Sequence, residues 1–147
     1  MDERRVPSGV DHSFVVEHVM RASPAAIFEA WTHRFDAWFA SPGYVSMDPV
    51  VDRAFWFDTY FEGVHHPHYG RFLQLERDQL IELTWVTGMT GTDGAETVVR
   101  VGLSALDSGT LLRLTHGGFY DEAAARRHQD AWPRVLGHLD EVLSDEE

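Results

Sequence analysis

The 147-residue chain has no cysteine, no lysine and no asparagine. Without cysteine there is no disulfide framework, no thiol nucleophile and no thiolate zinc site. Without lysine there is no Schiff-base chemistry and no phosphate loop ending in Gly-Lys. Lysine and asparagine share A/T-rich codons, so their absence suggests a G+C-rich bacterial genome. Positive charge is scarce: twelve arginines face 24 acidic residues, for a formal charge of −12. Nucleic-acid backbones and anionic membrane surfaces are repelled, which excludes nucleic-acid binding at physiological salt. No apolar run approaches the ~20 residues of a membrane span. The polar opening Met1 to Asp11 carries Asp2, Glu3, Arg4 and Arg5 and no signal-peptide core. Together these point to the cytoplasm. GxSxG, the dinucleotide glycine fingerprint and HExxH are also missing.

What remains is a globular composition of the size of one domain, 1–147, with its core over about 14–143 and loose ends at 1–12 and 144–147. Phe14 to Arg21 reads as a β-rich strand. Ser23-Pro24 then supplies a helix cap and a first-turn proline, opening a short helix through Ile27, Phe28 and Trp31. A second short helix carries Phe35, Trp38 and Phe39 and stops at Ser41-Pro42-Gly43. Tyr44 to Met47 is a weak strand. Arg53 to Glu62 alternates around Phe55, Phe57, Thr59 and Phe61, leaving Trp56, Asp58 and Glu62 on the solvent side. Gly63 to His68 reads as a turn or loop. Hairpins follow through Arg77-Asp78-Gln79 and Asp107-Ser108-Gly109, separated by a Gly/Thr-rich loop from Gly88 to Gly94. In the first, Ile81, Leu83 and Trp85 share a face opposite Glu82 and Thr84. In the second, Thr97, Val99, Val101 and Leu103 align with Leu112, Leu114 and His116, while Arg100 and Arg113 mark the solvent face. Asp121 caps a last helix to about Leu143, with Trp132, Val135, Leu136, Leu139, Val142 and Leu143 on one stripe and Pro133 expected to kink it. A sheet with one apolar face must cover it, and this helix is the only long one available. The expected class is α+β: a curved antiparallel sheet of six or seven strands, two short helices after the first strand, and a long C-terminal helix on the concave face.

The sequence resembles the START/SRPBCC superfamily, the helix-grip fold, and within it the family named for the activator of the heat-shock-protein ATPase. The matching segments are Ala22 to Trp31, Phe35 to Phe39, Gly70 to Glu76, Leu80 to Trp85, Thr110 to Phe119, and His128 through Trp132. The resemblance covers about Phe14 to Leu143. It departs at Arg77-Asp78-Gln79, where the family usually carries proline, at Ala131, where glycine is usual, and at Pro133. The resemblance implies the binding of an apolar or aromatic small molecule between sheet and helix. It also implies two alternatives: a polyketide cyclase or dehydratase-like enzyme, and a module that contacts a chaperone or a second copy of itself.

Nine Phe, five Trp and four Tyr supply rings for such a cavity. Phe55, Phe57, Trp85 and Trp132 point by parity or helical phase into the space between sheet and helix. The candidate ligand-contacting set adds Trp31 and Trp38 from the short helices, Tyr69, Phe119 and Leu136, with His116 at the rim. In this arrangement Trp85 and Trp132 border one shared apolar pocket floored by Phe55 and Phe57. For catalysis His116, Tyr69 or Tyr60 would be the acid-base groups, since imidazole titrates near neutral pH. His65-His66-Pro67-His68 invites a metal, but adjacent residues of an extended segment point to opposite sides. No metal and no cofactor is expected.

Overall fold

The computed structural model describes residues 12–88 and 91–145, apart from the side chain of Phe61. The opening segment Met1 to Asp11, Met89 and Thr90 of the Gly/Thr-rich loop, and the last two residues lie outside the described residues. Strand β1 (Phe14–Met20) leads into helix α1 (Pro24–Thr32) and a 3-10 turn (Phe35–Ala37). Strands β2 (Val45–Ser46), β3 (Ala54–Phe61), β4 (Val64–Glu76), β5 (Leu80–Trp85), β6 (Thr97–Leu106) and β7 (Gly109–Gly117) follow, and helix α2 (Glu122–Asp145) ends the described chain.

The β6–β7 hairpin lies between β1 on one flank and β5 on the other. The seven strands stand in the order β1-β7-β6-β5-β4-β3-β2, every ladder antiparallel, as one open curved sheet. Parity along β6 and β7 is as the sequence pattern implies. Thr97, Val99, Val101, Leu112, Leu114 and His116 are buried, while Arg100 and Arg113 are exposed and reach Glu82 and Glu17. Helix α2 covers this inner face, bringing Trp132 against Trp85. The architecture is the α+β helix grip.

At the start of α1, Ser23 accepts from the Ala26 N–H at 3.1 Å, with Pro24 in the first turn. The expected second short helix reduces to a single 3-10 turn. The chain after it is drawn onto β3, where Ser41 N–H donates to the Asp58 carbonyl and Asp58 N–H to the Tyr44 carbonyl. Those bonds compete with helical ones, so Trp38 and Phe39 leave the turn as packing side chains.

Of the segment from Gly63 to His68, expected as a turn or loop, Gly63 lies in the turn and Val64 to His68 is instead the first part of β4. Pro67 is tolerated because β4 at that point pairs only with β3, so its missing N–H lies on an open edge. Alternation then puts His68, Gly70 and Phe72 on the inner side and Tyr69 outside, 51% exposed. Gly70 has no room for a Cβ, which would stand 2.2 Å from the Thr84 carbonyl oxygen and 2.7 Å from Phe55.

Two residues assigned to the solvent face are buried. Thr84 accepts from the Arg71 N–H at 2.9 Å, close to the register shift between β4 and β5. Asp58 pairs with His65 Nδ1, and the rings of Tyr44 and Tyr60 lie against that imidazole.

Asp121 caps α2 through its side chain, accepting from the Ala124 N–H at 2.8 Å. The helix runs through Pro133 to Asp145, so the proline removes a bond to the Gln129 carbonyl without ending the element. Ser144 and Asp145, expected in a frayed tail, belong to it. The buried carboxylate of Asp140 accepts from the Arg21 and Ala22 N–H groups, and Arg21 Nε adds a further contact at 3.2 Å. This ties the helix to the β1–α1 connection, whose N–H groups would otherwise be buried without partners.

Candidate functional site

Rings from every layer meet under α2. Trp85 and Trp132 lie with centroids 5.5 Å apart at 59°, Trp31 lies 6.0 Å from Trp132, and Phe57 lies 5.5 Å from Trp85. The first and last of these are tilted or edge-on and the Trp31–Trp132 pair is stacked; offset stacking and edge-on contact are the favoured aromatic geometries. They also fill most of the space. What remains beside the two indoles is a pocket of about 110 Å³, lined by Phe39, His68, Trp85, His128, Ala131, Trp132 and Val135. It shares His68, His128 and Ala131 with a wider cleft of about 580 Å³, whose other walls are Thr59, His65, His66, Pro67, Thr87, Gly88 and Gly91.

The structure therefore brings Trp85 and Trp132 to one pocket, but its other walls differ from those expected. Phe57 stacks on the outer side of His68, with centroids 4.6 Å apart, and Phe55 packs on Phe57 and Phe72; neither lines the pocket. Trp31 is fully buried among Phe35, Trp38 and Trp132, and its Nε1 has no partner among the described residues. Trp38 borders a separate groove with Phe39, Arg134, Val135 and His138. Leu136 is core. Phe119 supports His116 and His128 from behind, at 4.4 and 4.7 Å. Tyr69 and Tyr60 stand exposed, and Tyr69 lies on the outer side of β4.

His116 is not at the rim. It is fully buried, and both ring nitrogens are engaged. Trp132 Nε1–H donates to Nδ1 at 3.1 Å. With Nδ1 accepting, the neutral ring carries its proton on Nε2 and donates to Thr97 Oγ1 at 2.8 Å, and that hydroxyl donates to the Trp85 carbonyl at 2.6 Å. The chain of bonds runs helix, β7, β6, β5 with every proton placed. Burial lowers the His116 pKa well below its usual value, with the neighbouring His128 adding to the effect. A second ring proton would point at the Trp132 N–H. His116 thus fastens the two walls together and has no free nitrogen to offer a substrate.

The imidazoles facing the pocket are His68 and His128. His68 Nδ1 lies 2.8 Å from the His66 carbonyl oxygen and His128 Nδ1 lies 2.9 Å from that of Ala124. A carbonyl only accepts, so both rings carry the proton on Nδ1. Burial lowers the His68 pKa to about 4 and lowers that of His128, against the raising effect of those backbone bonds. Both are neutral at pH 7. Two sequence signals mark them. His68 shares inward parity with Gly70 and Phe72, and His128 precedes Trp132 by four residues, which is the same helix face.

Among the described residues no three His, Asp or Glu side chains stand close enough to hold a metal ion, and no helix is long and apolar enough to cross a membrane.

Comparison with known proteins gives a consistent picture. The family model described as "Activator of Hsp90 ATPase homolog 1-like protein" matches residues 21–144. No curated protein matches the sequence. Among solved structures, protein CV1439 from Chromobacterium violaceum superposes with a TM-score of 0.77 at 20% identity, covering 90% of this chain and 97% of its own. Protein MLL2253 from Mesorhizobium loti gives 0.74 at 22% identity, covering 92% and 98%. DynU16, a protein in the dynemicin biosynthetic locus, gives 0.76 at 18% identity, covering 93% of this chain and 49% of its own.

Proposed function

The chain belongs to the Activator of Hsp90 ATPase homolog 1-like family, and from that premise we propose that it is a cytoplasmic binding protein for an apolar or aromatic small molecule, seated in the pocket bordered by Trp85 of the sheet and Trp132 of α2. The observation that carries this reading is the pocket bordered by both indoles, which shares the walls His68, His128 and Ala131 with the adjoining cleft. By comparison with the roughly 150 Å³ cavity that takes benzene, the inner space suits one ring. The cleft beyond takes the rest of the guest. Apolar surface removed from water there contributes about 25 cal/mol per Å², less the cost of association. The likeness to a protein of a biosynthetic locus is in keeping with a small-molecule partner.

The cyclase-like alternative asks for a polar group that moves protons. His116 is saturated and Tyr60 and Tyr69 face outward, which leaves His68 and His128. A base with a pKa of about 4, as His68 has, is weakly matched to proton abstraction at neutral pH. Binding is the better use of these groups. The chaperone alternative rests on the family's name and calls on the outer surface, which this pocket does not involve.

Biphenyl, which is transparent where tryptophan can be selectively excited, is expected to quench or shift the tryptophan emission of the wild-type protein. Trp85→Phe with Trp132→Phe should remove most of that response. Ala131→Phe, which narrows the mouth from a partly exposed position without adding an indole, should do the same with folding intact. No response to biphenyl or to other apolar rings means the aromatics are core alone.

A further inference from the structure

The inner pocket has no Asp, Glu or Arg in its lining, so its selectivity rests on the few polar atoms that reach it. Around the pocket and the cleft most of these are spent. Thr59 Oγ1 donates to the His66 carbonyl, Thr87 Oγ1 accepts from the Thr92 N–H, and His65 Nδ1 is held by Asp58. His68 and His128 differ. Each commits its Nδ1–H to a backbone carbonyl, which turns the other ring nitrogen, Nε2, into a bare lone pair. Both rings line the pocket and the cleft together, at the junction between them. The junction therefore offers two acceptors and no matching donor from the same rings. A guest that brings a carbonyl or an ether there meets lone pair with lone pair. A guest that brings O–H groups completes both imidazoles.

The two rings are also held rigidly. His68 is stacked between Phe57 and the edges of Phe39 and Trp85, and His128 is packed on His116 and Phe119. Neither can flip to present Nδ1–H without giving up its backbone bond. Burial, which keeps both neutral, preserves the acceptor role at physiological pH.

We propose that the guest is a hydroxylated aromatic compound whose ring enters the pocket bordered by Trp85 and Trp132 and whose O–H groups donate to Nε2 of His68 and Nε2 of His128. This rests on the binding function proposed above and narrows it to a chemical class. A partly buried site built to accept hydrogen bonds discriminates against an analogue that cannot donate, because its own polar atoms are then left unpaired.

The test is calorimetric titration of the full-length protein with three matched probes: biphenyl, 5-phenylresorcinol and the dimethyl ether of that diol. The diol is expected to bind about tenfold or more tighter than its ether, since the ether keeps the ring and the oxygens but loses both donors. His68→Phe and His128→Phe, each close in volume to the original, should bring the diol-to-ether ratio toward one. His128→Gln, which restores an acceptor oxygen, should retain part of it. If biphenyl binds but diol and ether bind alike, the hydroxyl assignment is overturned while the apolar pocket stands. If the preference survives in both phenylalanine variants, the donors are read elsewhere and the assignment again falls. If none of the three probes binds, the pocket reading and the assignment fail together.

Discussion

Replacing His116 by alanine is expected to cost about 3–5 kcal/mol of folding free energy, the range for emptying a buried ring-sized site. Three losses combine. The ring leaves a void among Phe14, Phe119, Trp85 and Trp132. The Trp132 indole N–H loses its acceptor inside the core, and Thr97 Oγ1 loses the bond it receives. An orphaned buried donor alone costs about 1–3 kcal/mol. The effect separates into its parts with a double-mutant cycle. His116→Phe keeps the volume but strands the Trp132 N–H, and Trp132→Phe strands His116 Nδ1. The double variant strands neither, so it should be less destabilised than the two single effects added together. Urea unfolding followed by circular dichroism reads all four proteins. A loss below about 1 kcal/mol for His116→Ala would mean that the bonded chain from α2 to β5 is not holding the helix to the sheet.

Stability is expected to fall as pH drops below about 6.5, the ordinary histidine value, and to go on falling toward about 4, where folded His68 titrates. The sign follows from where protons bind. In the folded protein burial keeps His68, His116 and His128 neutral below their ordinary value, whereas in the unfolded chain they protonate there. The unfolded state therefore binds more protons in that window, and stability rises with pH across it and is level above it. Each contributes a slope of up to about 1.4 kcal/mol per pH unit. Acidification also relieves the self-repulsion of a chain with formal charge −12, but that acts over a screened surface at 0.15 M salt and is the smaller influence. Urea midpoints at pH 7.5, 6.5 and 5.5 check this in a range where most carboxylates are still ionised. His68→Phe should flatten part of the fall. Equal midpoints at pH 7.5 and 5.5 would show that these imidazoles are not buried neutral.

Much of this fold is legible in the residues themselves. Parity alone puts Val99, Val101, Leu112, Leu114 and His116 inside and Arg100 and Arg113 outside. Ser23, Pro24 and Asp121 mark their helix starts by chemistry that holds in the structure. The indole pair is legible too, because Trp85 continues the face of Ile81 and Leu83, and Trp132 heads the apolar stripe of α2. The rest depends on neighbours far along the chain. Pro67 and three histidines look like a loop until β3 supplies a partner strand whose bonds need no donor from that proline. Asp58 and Thr84 alternate as solvent residues, yet His65 and the shifted β4 backbone cover them. His116 was expected at the rim because strand parity gives a side chain its face but not its depth. Depth is set by Trp132 crossing above it. Asp140 gives no signal in the helix pattern, since its acceptor role answers N–H groups 118 and 119 residues away.

The proposed guest site is bordered by two particular indoles, and indole N–H resonances report on each tryptophan separately. The measurement is a proton–nitrogen correlation spectrum of protein labelled at its five tryptophans, recorded as biphenyl is added. Trp132, whose N–H bonds to His116, and Trp85 are expected to move together along one saturable curve, while Trp56, on the opposite side of its strand, stays in place. If Trp85 and Trp132 do not move, or if Trp56 moves instead of them, the guest does not sit between the sheet and the helix.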